Sequence, residues 1–239
     1  MIRQLALLTL RRAADPERVA AFEAAAAAAP RERGLLRLAL GRHLPGSIGG
    51  GHCGLDALLA SARDLGEIGA CPLPSPALAP FFDPGDPRCV VESSDVVRFA
   101  PQRVGIGAPA LAPCIKRTLL LRTRPGAAPE AVARFERDLL EMPRQIASIR
   151  NWALSRPDPA LHPTAWTHVW EQEYEELSGL QRDYLEHPWH WGRVDGWFDP
   201  ECPQCIALPR VAHVFWEAPA TILGWAAGAE ASRPAARRA

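Results

Sequence analysis

The chain predicts an α+β fold in which one β-α-β-β-α-β unit of about a hundred residues occurs twice. Three observations predict it: ordered internal similarity, a matching order of strand and helix signals, and a connector of different composition between the copies. Ile2-Arg3, Arg11, Pro16-Glu17, Val19 and Phe22-Glu23 return as Ile115-Lys116, Arg124, Pro129-Glu130, Val132 and Phe135-Glu136, with Phe22 and Phe135 113 residues apart. Phe81-Phe82-Asp83-Pro84, Pro87 and Cys89 return as Trp197-Phe198-Asp199-Pro200, Pro203 and Cys205, with the two cysteines 116 residues apart. Two ordered blocks at nearly one spacing are the signature of a repeated unit.

Each element has a local reason. Residues 2–10 and 115–123 are apolar-biased and alternating, which reads as a first strand in each copy. Asp15-Pro16-Glu17 and Ala128-Pro129-Glu130 then open helices, with proline in the first turn where its missing N–H costs nothing. The first helix runs to Ala29 and the second to Met142-Pro143. Second strands are expected at 35–40 and 149–154, and third strands at 48–55 and 165–173. Helical segments are expected at 56–66 and 174–186, and last strands at 88–98 and 204–216. The predicted organisation is a first copy at 1–104, a Gly/Pro/Ala-rich linker at 105–113, a second copy at 114–217 and a tail at 218–239. In the tail, Ile222-Leu223-Gly224-Trp225 is the stretch able to pack on the body.

Composition narrows the function. The 27 basic and 27 acidic side chains cancel, so there is no electrostatic footprint for nucleic acid or an anionic membrane. Lys116 is the only lysine. No run reaches the ~18 apolar residues of a membrane span, and no leader pattern is evident. A soluble, cytoplasmic protein is expected. The sequence has no glycine-rich phosphate loop, dinucleotide fingerprint or nucleophile elbow, and no cofactor is expected. Six cysteines are too few for a disulfide scaffold at this length. Cys202-Pro203-Gln204-Cys205 has the spacing of zinc ligands or a redox pair. It lacks a second ligand pair and precedes a strand, so a buried structural thiol is the reading and no metal is assigned.

The second copy resembles the stress-responsive A/B barrel (Dabb) family. The residues that carry the resemblance are the first strand Ile115–Arg124, Thr167-His168-Val169 and Asp183-Tyr184-Leu185-Glu186-His187-Pro188-Trp189-His190. Trp197-Phe198-Asp199-Pro200 before the last strand also fits. The resemblance implies an intramolecular dimeric α/β barrel of two ferredoxin-like units, in which one chain builds the pair that relatives build from two. The chain would then act as a monomeric pseudo-dimer or as a homodimer. Polyketide cyclases of the olivetolic acid cyclase type share this Tyr/His-Pro-x-His segment. By motif position the resemblance implies a catalytic pair of Tyr184 and His190, with His168 in the pocket. Arg117 stands where those cyclases carry a pocket histidine.

The residues allow the same roles on their own chemistry. Histidine titrates near neutrality, so His190 can take a proton from carbon flanked by carbonyls, and a phenol at Tyr184 can donate to the enolate that forms. Against this, His187-Pro188 is equally a chain-redirecting cap and Tyr184 a core residue. His168 alternates with Trp166 and Trp170, so all three are expected on one strand face as a flat apolar wall for a small-molecule ligand. His187 and Arg117 complete the expected binding set. Glu171 and Glu173 alternate away from His168, toward solvent or an interface. The first copy keeps His52 opposite His168. It has Ile68 for Tyr184 and Cys71-Pro72-Leu73-Pro74 for the His-Pro segment, so it reads as scaffold. The resulting expectation is a cofactor-independent cyclase, isomerase or lyase. The alternatives are a ligand-binding or stress-associated structural protein and a cofactor-independent monooxygenase.

Overall fold

The computed structural model describes residues 1–29 and 34–225. The first half runs β1 (Ile2–Leu10), α1 (Pro16–Ala28), β2 (Leu35–Arg42), β3 (Cys53–Leu59), a single helical turn α2 (Ala79–Phe82) and β4 (Val91–Phe99). The second runs β5 (Arg103–Ile106), β6 (Cys114–Leu121), α3 (Pro129–Gln145), β7 (Asn151–Ser155), β8 (His168–Tyr174) and β9 (Ala212–Ala218). The strands form two antiparallel sheets, ordered β2-β3-β1-β4 and β5-β7-β8-β6-β9. Setting β5 aside, the second sheet repeats the order of the first, so the predicted α+β class of paired ferredoxin-like sheets is correct.

Alternation divides each sheet into two faces. Ala6, Leu8, Leu55 and Ala57 pack on Phe22 of α1, while Leu119, Leu121, Trp170 and Tyr174 pack on Phe135 and Leu139 of α3. The opposite faces meet each other: Leu5, Leu7, Val97 and Phe99 of the first sheet bury against Leu120, Val169, Ala212 and Val214 of the second. At the centre of this inter-sheet layer Arg3 pairs with both Asp56 and Glu171, and Lys116 Nζ stands 2.7 Å from Glu171. All four side chains are buried. Leu5 faces Asp56 across its ladder as Thr118 faces Glu171 across its own. The two halves therefore place base and acid at equivalent positions.

Glycine lets the halves approach. Gly49 (φ +73°) lies against the Val211 carbonyl and Gly50 against Val214, while Gly41 faces the Trp216 ring. A Cβ at any of the three would overlap its neighbour. The loop after β2 thereby pairs with β9, through Leu44 N to Phe215 O (2.9 Å), Ile48 N to His213 O (2.8 Å) and His213 N to Ile48 O (2.9 Å). This covers an edge strand that would otherwise offer unpaired backbone.

Some expected elements lie elsewhere in the fold. The third strand of the first half is 53–59, not 48–55, because the glycines serve the contact with β9 and Cys-Gly-Leu-Asp-Ala-Leu-Leu is buried on both faces. The helix expected at 56–66 shrinks to the turn Ala62–Asp64, since β3 claims 53–59 and Gly66, Gly69, Pro72 and Pro74 prevent a helix from continuing beyond the turn. Gly105 and Ile106 of the expected linker belong to β5, which pairs with β7. In the tail Ile222 and Leu223 are buried, and their N–H groups donate to Glu173, as does the Thr221 hydroxyl at 2.6 Å. The remainder, 226–239, lies outside the described residues. No helix among the described residues is long and apolar enough to cross a membrane.

Candidate active site

Tyr184 and His190 come together as the segment predicts. They end and begin two widened turns, 179–184 and 190–194, each closed by hydrogen bonds one residue longer than in an α-helix. The ring centroids are 4.5 Å apart. Tyr184 lies on the α3-facing side of the second sheet, with the Arg117 guanidinium 4.8 Å from its centroid and Tyr174 beside it at 6.1 Å.

Sheet register explains who joins them. Arg117 on β6 pairs with Gln172 on β8 and Phe215 on β9, so these side chains form one row under Tyr184. Arg117 Nη1 donates to Gln172 Oε1 (2.6 Å), which also accepts from Tyr174 Oη (2.9 Å). Arg117 Nε donates to His213 Nε2 (2.8 Å), so that nitrogen carries no proton and His213 is neutral. Sequence reasoning misses His213, because a lone histidine on a last strand gives no signal until β9 is placed beside β6. It misses Asp195 as well. The Asp195 Oδ1 lies 3.4 Å from His190 Nδ1, the place of a carboxylate that orients a base, and the two are five residues apart across the second widened turn.

The electrostatics follow from burial and from Arg117. Burial first, then Arg117 and His187, lower His190 to about 4. Burial, Arg117 and His190 lower His213 to about 3. Both imidazoles are neutral at pH 7. Burial raises the Tyr184 phenol above its ordinary value, with Arg117 opposing, so it stays a proton donor. Burial also raises Asp195.

The other expected residues lie elsewhere. His168 Nε2 is 3.3 Å from Glu136 on α3 and its Nδ1 2.8 Å from Thr167 Oγ1, with Phe135 edge-on at 5.6 Å. It touches neither Tyr184 nor His190. The His168 imidazole and Arg156 hold the Glu136 carboxyl down to about 2, against burial. Trp170 does share the α3 side, but Trp166 packs in the inter-sheet layer and donates to Asp95 (2.9 Å). The reason is that β8 begins at His168, so alternation does not extend back to 166. His187 accepts from Trp189 N (3.1 Å), which is the capping geometry. Glu171 and Glu173 point to the inter-sheet side. Cys205 is buried with Sγ toward Ala207 O, and Cys202 faces Asp199. Among the described residues no three His, Cys, Asp or Glu side chains gather as a ligand set. In the first half His52 accepts from Leu10 N, and Pro72 O accepts from Gln4 and Arg98, so no comparable cluster forms there among the described residues.

Comparison with known proteins bears on the fold. No curated protein matches the chain in sequence. Its fold is similar to a candidate monooxygenase from Fusobacterium nucleatum subsp. nucleatum (TM-score 0.58, 8% identity, 92% of this chain and 95% of that one). It is also similar to an anthrone oxidase-like protein (0.57, 12%, 92% and 91%) and to chlorite dismutase from Candidatus Nitrospira defluvii (0.53, 8%, 93% and 91%). At such identities the likeness is one of fold. Residues 115–209 match the model of the Stress responsive A/B Barrel Domain. The stretch that holds Arg117, Gln172, Tyr184 and His190 lies within the residues that match this domain model.

Proposed function

We propose that the second half is a cofactor-independent acid/base enzyme acting on a small carbonyl-bearing metabolite, and that the first half is its scaffold, derived from a second copy of the same unit. The observation that carries the reading is the 4.5 Å approach of the Tyr184 and His190 rings beside a buried guanidinium. A neutral His190 takes a proton from carbon next to a carbonyl. The C–H electron pair becomes a C–C double bond, and the carbonyl oxygen takes the charge. Tyr184, still protonated, donates to that oxygen, and Arg117 stabilises it electrostatically. Asp195, 3.4 Å from His190 Nδ1, steadies the protonated form of the imidazole. Trp170 supplies apolar wall. Cyclisation, isomerisation and decarboxylation all fit this chemistry.

The test is hydrogen–deuterium exchange at the acidic carbon of a panel of 1,3-dicarbonyl compounds, monitored by proton NMR. Catalysed exchange falls by a factor of roughly 10²–10⁴ in His190→Gln. Undiminished exchange in that variant removes His190 as the base. A second reading, oxygen insertion without a cofactor, draws on fold neighbours whose names carry oxygen chemistry. It requires dioxygen consumption in step with turnover, which an oxygen electrode measures. A third, ligand binding without turnover, predicts thermal stabilisation by a metabolite with neither exchange nor oxygen uptake.

A further inference from the structure

Four cationic side chains are buried among the described residues: Arg3, Arg98, Lys116 and Arg117. Arg3 meets Asp56 and Glu171, Arg98 meets Glu67 at 3.0 Å, and Lys116 meets Glu171. Arg117 alone has no carboxylate within 4 Å among the described residues; its hydrogen bonds go to the neutral groups of His213 and Gln172. A buried charge without a counter-charge is costly. The groups around it compound the cost. Gln172 Nε2, on the side chain that accepts from Arg117, has no partner. Nor has Trp170 Nε1, which lies beside the Tyr184 hydroxyl. Both Gln172 and Trp170 are fully buried. Asp195, the carboxylate beside His190, is half exposed at the rim and does not reach the guanidinium.

We propose that this site takes a substrate bearing its own carboxylate, seated on Arg117 with Gln172 and Trp170 as further donors. The inference rests on the acid/base reading for where the substrate lies, and narrows it to small carbonyl acids. An arginine end presents two parallel N–H groups that match a carboxylate. The guanidinium would then serve first as anchor, with Tyr184 left to face the reacting carbonyl. A bound carboxylate would also offset the positive charge that, after burial, keeps His190 a weak base.

Binding tests this without requiring turnover. Isothermal titration on the full chain compares acetoacetate with acetoacetamide and benzoate with benzamide. Each acid is expected to bind at least tenfold more tightly than its amide. Arg117→Gln abolishes the preference and Arg117→Lys keeps part of it. If Arg117→Gln does not fold, Trp170→Phe serves, with the preference expected to fall at least threefold. Equal binding of acid and amide in both pairs, or an undiminished preference in Arg117→Gln or its substitute, overturns the proposal and leaves proton abstraction by His190 standing. Acid-selective binding alongside unchanged exchange in His190→Gln does the reverse: the anion site stands and the acid/base reading falls.

Discussion

The histidines beside Arg117 make stability depend on pH in a way that can be calculated. His190 lies at about 4 in the native protein against an ordinary 6.5. Between those values the unfolded chain binds a proton that the folded chain refuses, so stability rises with pH across this window. The contribution is complete above 6.5 and is lost as pH falls toward 4. One pKa unit corresponds to about 1.4 kcal/mol, and at pH 5 nearly every unfolded histidine is protonated while most native His190 is not. The loss from His190 between pH 8 and pH 5 is then about 2 kcal/mol. His213, lowered to about 3, loses a similar amount, so about 4 kcal/mol is expected for the pair. Asp195, raised by burial, works in the opposite direction. Urea unfolding at pH 8 and pH 5, for wild type and for His190→Gln, isolates the effect because the other histidines cancel in the difference. The variant should lose about 2 kcal/mol less than wild type on acidification. Equal losses in the two proteins would refute a buried, neutral His190.

Other expectations concern the architecture. Glu171→Gln leaves Arg3 and Lys116 sharing Asp56 and should cost about 3–5 kcal/mol by urea unfolding, as removing one partner from a buried ion network does. Gly41→Val drives a side chain into the Trp216 ring and should destabilise by about 1–3 kcal/mol, with a shift in tryptophan emission as β2 and β9 separate. Glu173→Gln weakens the bonds that hold 221–224, so amide exchange there should accelerate while the centre of β8 stays protected. Asp195→Asn should lower proton exchange at substrate carbon by about tenfold or more through misorientation of His190, with little change in substrate affinity.

The sequence disclosed most where one local rule decides the outcome. Pro16 and Pro129 mark helix starts to the residue, and alternation correctly sends Glu171 and Glu173 away from His168. The Tyr184–His190 meeting was legible because six residues across a helix end span little distance. Rules failed where tertiary contact took over. The β3 sequence is mostly apolar without a strand's alternation and reads equally as helix, until the second sheet supplies the reason for its second buried face. Trp166 lies just outside the region where alternation holds. The roles of Arg117 and His213 depend on β6 lying between β8 and β9, which is a matter of sheet order and leaves no trace in local pattern.

The layer where Arg3, Asp56, Lys116 and Glu171 meet has a consequence for how such a molecule can change. In a pair of identical chains, a side chain at the centre of symmetry answers to its own copy, so any substitution there is made twice at once. Here arginine occupies one of the equivalent positions and lysine the other, with aspartate and glutamate across from them. Each corner of the square can be altered singly, with the other three left to compensate. That freedom suits a molecule whose two halves have come to differ.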